Sequence, residues 1–235
     1  DTIVYNGPVS AFDLSAQLKG GELGGLLNFK STILIPATNA LGRTAIGVAE
    51  AVNTQMRAGM DLNGNLGQDF FSYSDATIFS ATTNTGNATV TSDITDVGAL
   101  TTSDYGLTYD GANWTMTSDK ATTSTVVNAL PITTLAFEGL TLTINSATAV
   151  AGDSFSIKPT LSGAESINVI QTDPRLIAAA APIRTSSSLN NLGGAEISAG
   201  AVTDSTALLT GGVIPAVGFT FASATSFTSN AAVVT

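Results

Sequence analysis

Cysteine and histidine are both absent from this 235-residue chain. Without cysteine there is no disulfide framework and no thiolate nucleophile, which points to cytosolic life or to export by a route that makes no disulfides. Without histidine the commonest general base and metal ligand is gone, and Ser-His-Asp and Cys-His machinery is excluded. Charge is scarce as well, at 11% of residues against roughly 25% in ordinary soluble domains. The eight basic residues, Lys19, Lys30, Arg43, Arg57, Lys120, Lys158, Arg175 and Arg184, stand singly. They build no patch for nucleic acid or for an anionic membrane surface. No apolar run approaches the roughly 18 residues of a membrane span. Asp1–Ala16 lacks the basic start and apolar centre of a signal peptide.

What the chain does have is threonine and serine, 35 and 23 of them, with a net charge of −10. Threonine favours strands, and uncharged hydroxyls keep a surface wet without fixing its electrostatics. With 43% hydrophobic residues the chain has material for a sizeable core. The composition reads as β-rich. It opens and closes inside strand-like runs, Thr2–Tyr5 and Ala231–Val234, so it is expected to be a piece of a longer protein.

Residues 21–59 alone carry long helical periodicity. Leu27, Leu34, Leu41 and Val48 recur every seven residues, and Leu23, Ala37, Ala45, Val52 and Met56 fill the steps between them. That spacing predicts an amphipathic rod of roughly 55 Å at 1.5 Å per residue. Pro36 predicts a kink or break near Ile33–Pro36, since it lacks an N–H and its ring crowds the preceding turn. The apolar residues of the rod are expected to pack inside the domain. Contacts with other subunits are then assigned to Asn28, Lys30, Arg43 and Arg57.

Before the rod, Thr2–Tyr5, a turn at Asn6-Gly7-Pro8 and the alternating Val9–Leu18 predict a short β segment. After it, residues 60–71 form a tight polar loop around Gly64 and Gly67, with Phe70 and Phe71 plugging it against apolar surface. Asp61, Asn63 and Asn65 also sit at the first, third and fifth places of a calcium loop. Leu66 and Ser72 stand where such a loop needs Gly and a bidentate Glu, so no metal is assigned.

From Tyr73 the period becomes strand-like, in short runs at 77–82, 88–91, 107–109, 114–117, 123–127, 140–144, 154–157 and 167–170. Turn signals such as Asp110-Gly111 and Glu138-Gly139 separate them, which implies a small antiparallel sandwich or barrel. A helical turn is expected at Arg175–Ala181, and Gly218–Phe221 is the best strand of the low-charge tail. The fold class is therefore α+β and β-rich. Residues 1–72 form a partial rod domain, 73–182 a β domain, and 183–235 its continuation or the start of a further β segment.

No catalytic constellation emerges, and neither enzyme activity nor a cofactor is expected. Asp93 with Asp96, or Asp69 with Asp75, are carboxylate pairs on loops of an acidic protein and read as solvated turn residues. The sequons at Asn87 and Asn113 are frequent by chance in a Thr-rich chain. Tyr105, Tyr109 and Trp114 suggest either a hairpin core or the stacking platform of a secreted carbohydrate-binding module.

Gly21-Glu22-Leu23-Gly24-Gly25-Leu26-Leu27-Asn28-Phe29-Lys30, then Pro36, Leu41-Gly42-Arg43 and Asn53-Thr54-Gln55, lead into Asp61-Leu62-Asn63-Gly64-Asn65-Leu66-Gly67-Gln68-Asp69-Phe70-Phe71. In that order they resemble the flagellar hook-associated protein 1 family. Lys30 and Met56 depart from the Arg and His usual there. Asp104-Tyr105, Trp114-Thr115, Gly152–Phe155 and Thr172–Pro174 extend the resemblance over most of residues 20–182. Gly21, Leu23, Gly24, Gly25, Leu26, Leu27, Asp61, Asn63, Gly64, Gly67, Phe70 and Phe71 are its motif residues.

The resemblance implies a structural adapter at the hook–filament junction. It further implies export through the flagellar type III apparatus without a cleaved signal peptide and an extracellular place on the flagellum. Self-association in a ring and contacts with hook and other junction proteins follow in the same way. Terminal helices and an export-chaperone site are expected outside these residues. A second junction protein, a flagellin or a hook subunit is the rival within the same class.

Overall fold

The computed structural model describes residues 4–6, 11–13, 18, 20–120, 124–128, 132–183, 185–194, 197–198, 200, 218–223 and 226–229. The expected Gly7-Pro8 turn, most of Val9–Leu18 and the Ala231–Val234 strand lie outside them. The chain divides into two compact units, one of residues 1–52 and 70–170, the other of 53–69 and 171–235.

The first unit begins with strands β1 (Val4–Asn6) and β2 (Ala11–Asp13), paired antiparallel. Helix α1 (Gly21–Phe29) follows and passes into a π-helical stretch at Lys30–Leu34. Helix α2 (Ile35–Arg57) continues from there across the boundary of the units. Pro36 therefore does not break the rod. Its effect is taken up just upstream, where the Ile35 N–H reaches back five residues to the Lys30 carbonyl. A widened turn of this kind is a recognised way for a helix to absorb a local misfit.

The strands of the first unit are β3 (Phe71–Ser72), β4 (Thr77–Ser80), β5 (Thr89–Ile94), β6 (Tyr105–Tyr109), β7 (Asn113–Ser118) and β8 (Ser124–Asn128). They continue as β9 (Ile132–Phe137), β10 (Leu140–Asn145), β11 (Ser154–Lys158) and, after the short helix α3 (Gly163–Ser166), β12 (Asn168–Val169). Every pairing is antiparallel, in a five-stranded sheet β4-β11-β6-β7-β8, a three-stranded sheet β5-β10-β9 and the small pair β12-β3.

The core follows from alternation. In β10 the Leu, Leu and Ile of Leu140-Thr141-Leu142-Thr143-Ile144 are buried and the threonines between them are partly exposed. β6, β7 and β11 likewise carry buried residues at every second place. Leu107, Trp114, Met116, Phe155 and Ile157 of the larger sheet meet Leu140, Leu142 and Ile144 of the smaller one in a single cluster. Two sheets facing one apolar layer give the sandwich-like arrangement that period-2 patterning favours.

Strand β9 has no counterpart among the expected runs. Thr133 occupies one of its buried places, which weakens the apolar alternation. Its turn into β10 is the expected Glu138-Gly139, both at positive φ, 42° and 84°, as a two-residue hairpin requires.

In the second unit Arg175–Ala181 is not a helical turn throughout. A single 3-10 turn, Pro174–Leu176, is capped by the Asp173 side chain, and Ala180 then bridges to Met60. Strand β13 (Phe219–Phe221) pairs antiparallel with β14 (Phe227–Ser229).

Candidate assembly surface

Among the described residues, α2 meets the rest of its own unit along one face. Asn39, Gly42, Ile46 and Ala49 are buried, at the three- and four-residue spacing that lines one side of a helix. Small size explains the choice. A Cβ on Gly42 would collide with the Thr160 carbonyl, and one on Gly163 would come within 2.7 Å of the Ile46 side chain and the Gly42 carbonyl oxygen. Helix and turn thus meet backbone to backbone.

Polar groups fix the same face. The Asn39 amide donates to the Asp104 carboxylate at 3.0 Å and to the Thr102 carbonyl at 3.2 Å. Lys158 closes on the other Asp104 oxygen at 2.8 Å. Arg43 donates through Nε to the Leu100 carbonyl, and Tyr73 donates to Glu50 at 3.1 Å.

The large apolar residues point elsewhere. Leu23, Leu26, Phe29, Ile33, Leu34, Leu41 and Val48 are all exposed, Leu41 by 62% and Val48 by 53%. Leu27 and Ala45 are half-buried and Ala37 is exposed. Leu23, Leu34, Leu41 and Val48 are thus not packed within the domain, contrary to the expectation. Arg43 is exposed overall while its Nε bonds the Leu100 carbonyl, and Arg57 forms an ion pair with Asp69 in the second unit. Periodicity picked out the large apolar residues of the rod, but close approach at Gly42 and the Asn39 bonds decided which face is anchored. From Leu23 to Val48 the outward series runs for about 37 Å at the helical rise.

The start of the family motif lines an open groove. Gly21, Gly24, Gly25 and Leu27, with Asn28, Ser31, Ile35 and Lys158, border a cavity of about 870 Å³. Leu23 and Leu26 belong to the outward series.

The end of the motif lies mainly in the second unit. Asp61, only 8% exposed, accepts from the Asn63 and Asn65 amides through one oxygen, each at 2.8 Å, and its own N–H donates to the Asn65 carbonyl. The Asn65 backbone bond leads in holding its carboxyl below the ordinary range, against the opposing effect of burial. The carboxylate thus organises its own loop. Gly64 turns at φ 83°, and a Cβ on Gly67 would strike the Met56 carbonyl and Ala178. In the first unit Phe70 and Phe71 pack edge to face at 4.9 Å and are half-buried, with Phe71 entering β3.

The other sequence candidates are absorbed by the fold. Trp114 is fully buried, donates to Ser146 at 2.8 Å and stacks on Tyr109 at 4.9 Å. Tyr105 is 3% exposed and donates to Glu138; burial first, then Glu138, pushes its hydroxyl up to about 12. These aromatics are core and offer no platform for a sugar. Asp75 accepts from the Ile94 amide, and Asp96 caps Gly98 and Ala99. Among the described residues no three acidic side chains gather as a metal site.

A family model described as the flagellar hook-associated protein FlgK helical domain matches residues 2–71. A second, described as flagellar hook-associated protein 1, D2-like domain, matches residues 79–159. Flagellar hook-associated protein 1 of Escherichia coli strain K12 is 37% identical over 163 residues, covering 69% of this chain and 30% of that protein. The protein of that name from Salmonella typhimurium is 33% identical over 164 residues, with the same coverage of 69% and 30%. The solved flagellar hook junction protein FlgK from Burkholderia pseudomallei superposes with a TM-score of 0.68 at 35% identity, over 76% of this chain and 34% of that one. The chain thus spans about a third of the length of these relatives.

Proposed function

The chain belongs to the flagellar hook-associated protein 1 family, and from that premise we propose that it forms part of the junction between hook and filament. The observation that carries this reading is the outward series Leu34, Leu41 and Val48 on a helix whose opposite face is already anchored. Seven-residue spacing of exposed leucine and valine suits packing against further helices.

In this reading residues 1–72 lie in the wall of a tube and the β domain of 73–182 faces outward, with 183–235 continuing it or beginning a further β segment. The motif residues from Gly21 to Phe71 set the local shape of the wall. The whole protein assembles as a ring of subunits between hook proteins and the next junction protein. Coverage of about a third of each relative leaves room for terminal helices and a chaperone site outside these residues. The absence of cysteine suits export through the flagellar type III apparatus without a cleaved signal peptide. The role is structural, and a chain lacking histidine and cysteine is poorly equipped for anything catalytic.

The test is made in the full-length protein. Replacing Leu34, Leu41 and Val48 together with Ser is expected to leave hooks in place and filaments detached in electron micrographs. Normal filaments on such cells overturn the reading.

A further inference from the structure

The exit loop carries a reactive pair of residues that the junction role does not use. Two asparagines of the chain are followed by glycine, Asn6 and Asn63. Gly7 lies outside the described residues, whereas Asn63 and Gly64 lie inside them and are both exposed. In an Asn-Gly step the glycine nitrogen stands beside the asparagine side-chain carbonyl, and no side chain crowds it. Here even a Cβ on Gly64 would meet nothing within 4 Å. Approach to that nitrogen is open.

Asp61 works against the reaction. It holds three successive amides, the Asn63 and Asn65 N–H groups through one carboxylate oxygen, each at 2.8 Å, and the Gly64 N–H through its main-chain carbonyl at 3.2 Å. Its other carboxylate oxygen accepts from the Asn63 side-chain amide at 3.4 Å. The two longest of these bonds are therefore those on the two groups that must react.

We propose that Asn63 is a site of spontaneous deamidation and that Asp61 sets its rate. The Gly64 nitrogen gives its proton to solvent and bonds to Asn63 Cγ. The Cγ–Nδ2 bond breaks, and Nδ2 leaves as ammonia with a proton from water. Water then opens the five-membered succinimide at either carbonyl, which leaves aspartate or isoaspartate at position 63. Nothing is oxidised or reduced, and water is the co-reactant.

The product works against the loop that made it. A carboxylate then faces Asp61 where an amide donor stood, and like charges so close repel. Isoaspartate also adds a carbon to the main chain between the two amides that share one Asp61 oxygen. Aged chains therefore carry a loosened exit loop, whatever they assemble with, so the proposal does not depend on the junction reading.

The experiment is incubation of the purified chain in heavy-oxygen water, followed by peptide mapping in a mass spectrometer. Conversion is expected at Asn63 ahead of every described asparagine that no glycine follows. Heavy oxygen should enter the new carboxyl, and the rate should rise with pH. Asp61→Ala should convert about two- to tenfold faster, the factor that hydrogen bonds of ordinary net strength are worth. Asp61→Asn, which keeps the size and an acceptor oxygen, should fall between the two. In concentrated urea all three chains should react alike, because the restraint belongs to the folded loop. No conversion at Asn63, earlier conversion at one of those other asparagines, or equal folded-state rates with and without the Asp61 carboxylate overturns the proposal.

Discussion

Gly42 and Gly25 lie on the same rod but have opposite surroundings. A Cβ on Gly42 meets the Thr160 carbonyl, whereas one on Gly25 meets nothing within 4 Å. Gly42→Ala is expected to cost at least about 1–3 kcal/mol, because backbone on both sides must shift. Gly25→Ala should stabilise by about 0.5–1 kcal/mol through the lower helix propensity of glycine. Urea midpoints of the two variants check the pair, and equal shifts would refute the contact. This contrast was not legible in the sequence, because counting apolar residues gives no weight to a glycine or to Asn39. The exit loop was far more legible. Gly64 and Gly67 announced a tight turn, and the structure adds that Asp61 holds it through the Asn63 and Asn65 amides.

Among elements, the rod and most strands follow from period. Helical conformation from Gly21 to Arg57 agrees with the expected 21–59. β10 and β11 were plain because large apolar residues alternate with small polar ones. β14 escaped notice because Phe227-Thr228-Ser229 holds one apolar residue and so shows no alternation. What periodicity could not give was the direction of the stripe, since an apolar row reads alike whether it meets this chain or another. The distinction is measurable. Leu34, Leu41 and Val48 changed together to Ser should move the stability of this chain by no more than about 0.5 kcal/mol per site, as exposed positions do. Ile46→Ala on the anchored face should cost about 2–5 kcal/mol. A large loss from the triple change, read by urea unfolding, would mean that the stripe is core after all.

At the scale of the molecule, acid should be a general weakness. Asp61, Asp110 and Asp153 each hold a carboxyl below its ordinary value, chiefly through backbone amides, those of Asn65, Asn113 and Val150 respectively. Asp153 is 1% exposed and ties three amides, Thr85 at 3.0 Å, Gly86 at 3.1 Å and Val150 at 2.9 Å. A lowered folded value means that the stabilisation is complete above the unfolded value. It is lost as pH falls through the folded ones. Urea midpoints should therefore hold steady near neutrality and fall below about pH 4. Asp153→Asn should lower the neutral plateau and shallow the acid slope, and an unchanged slope would show that this carboxylate plays no part. The π-helical stretch at Lys30–Leu34 has a consequence on the same scale. A turn that spends one residue too many offsets the two halves of a helix in phase, by roughly the 100° that one α-helical residue subtends. Leu23 and Leu26 on one side of that slip, and Leu41 and Val48 on the other, therefore address different compass bearings around a single axis. One rod of this kind is able to be gripped from two directions at once.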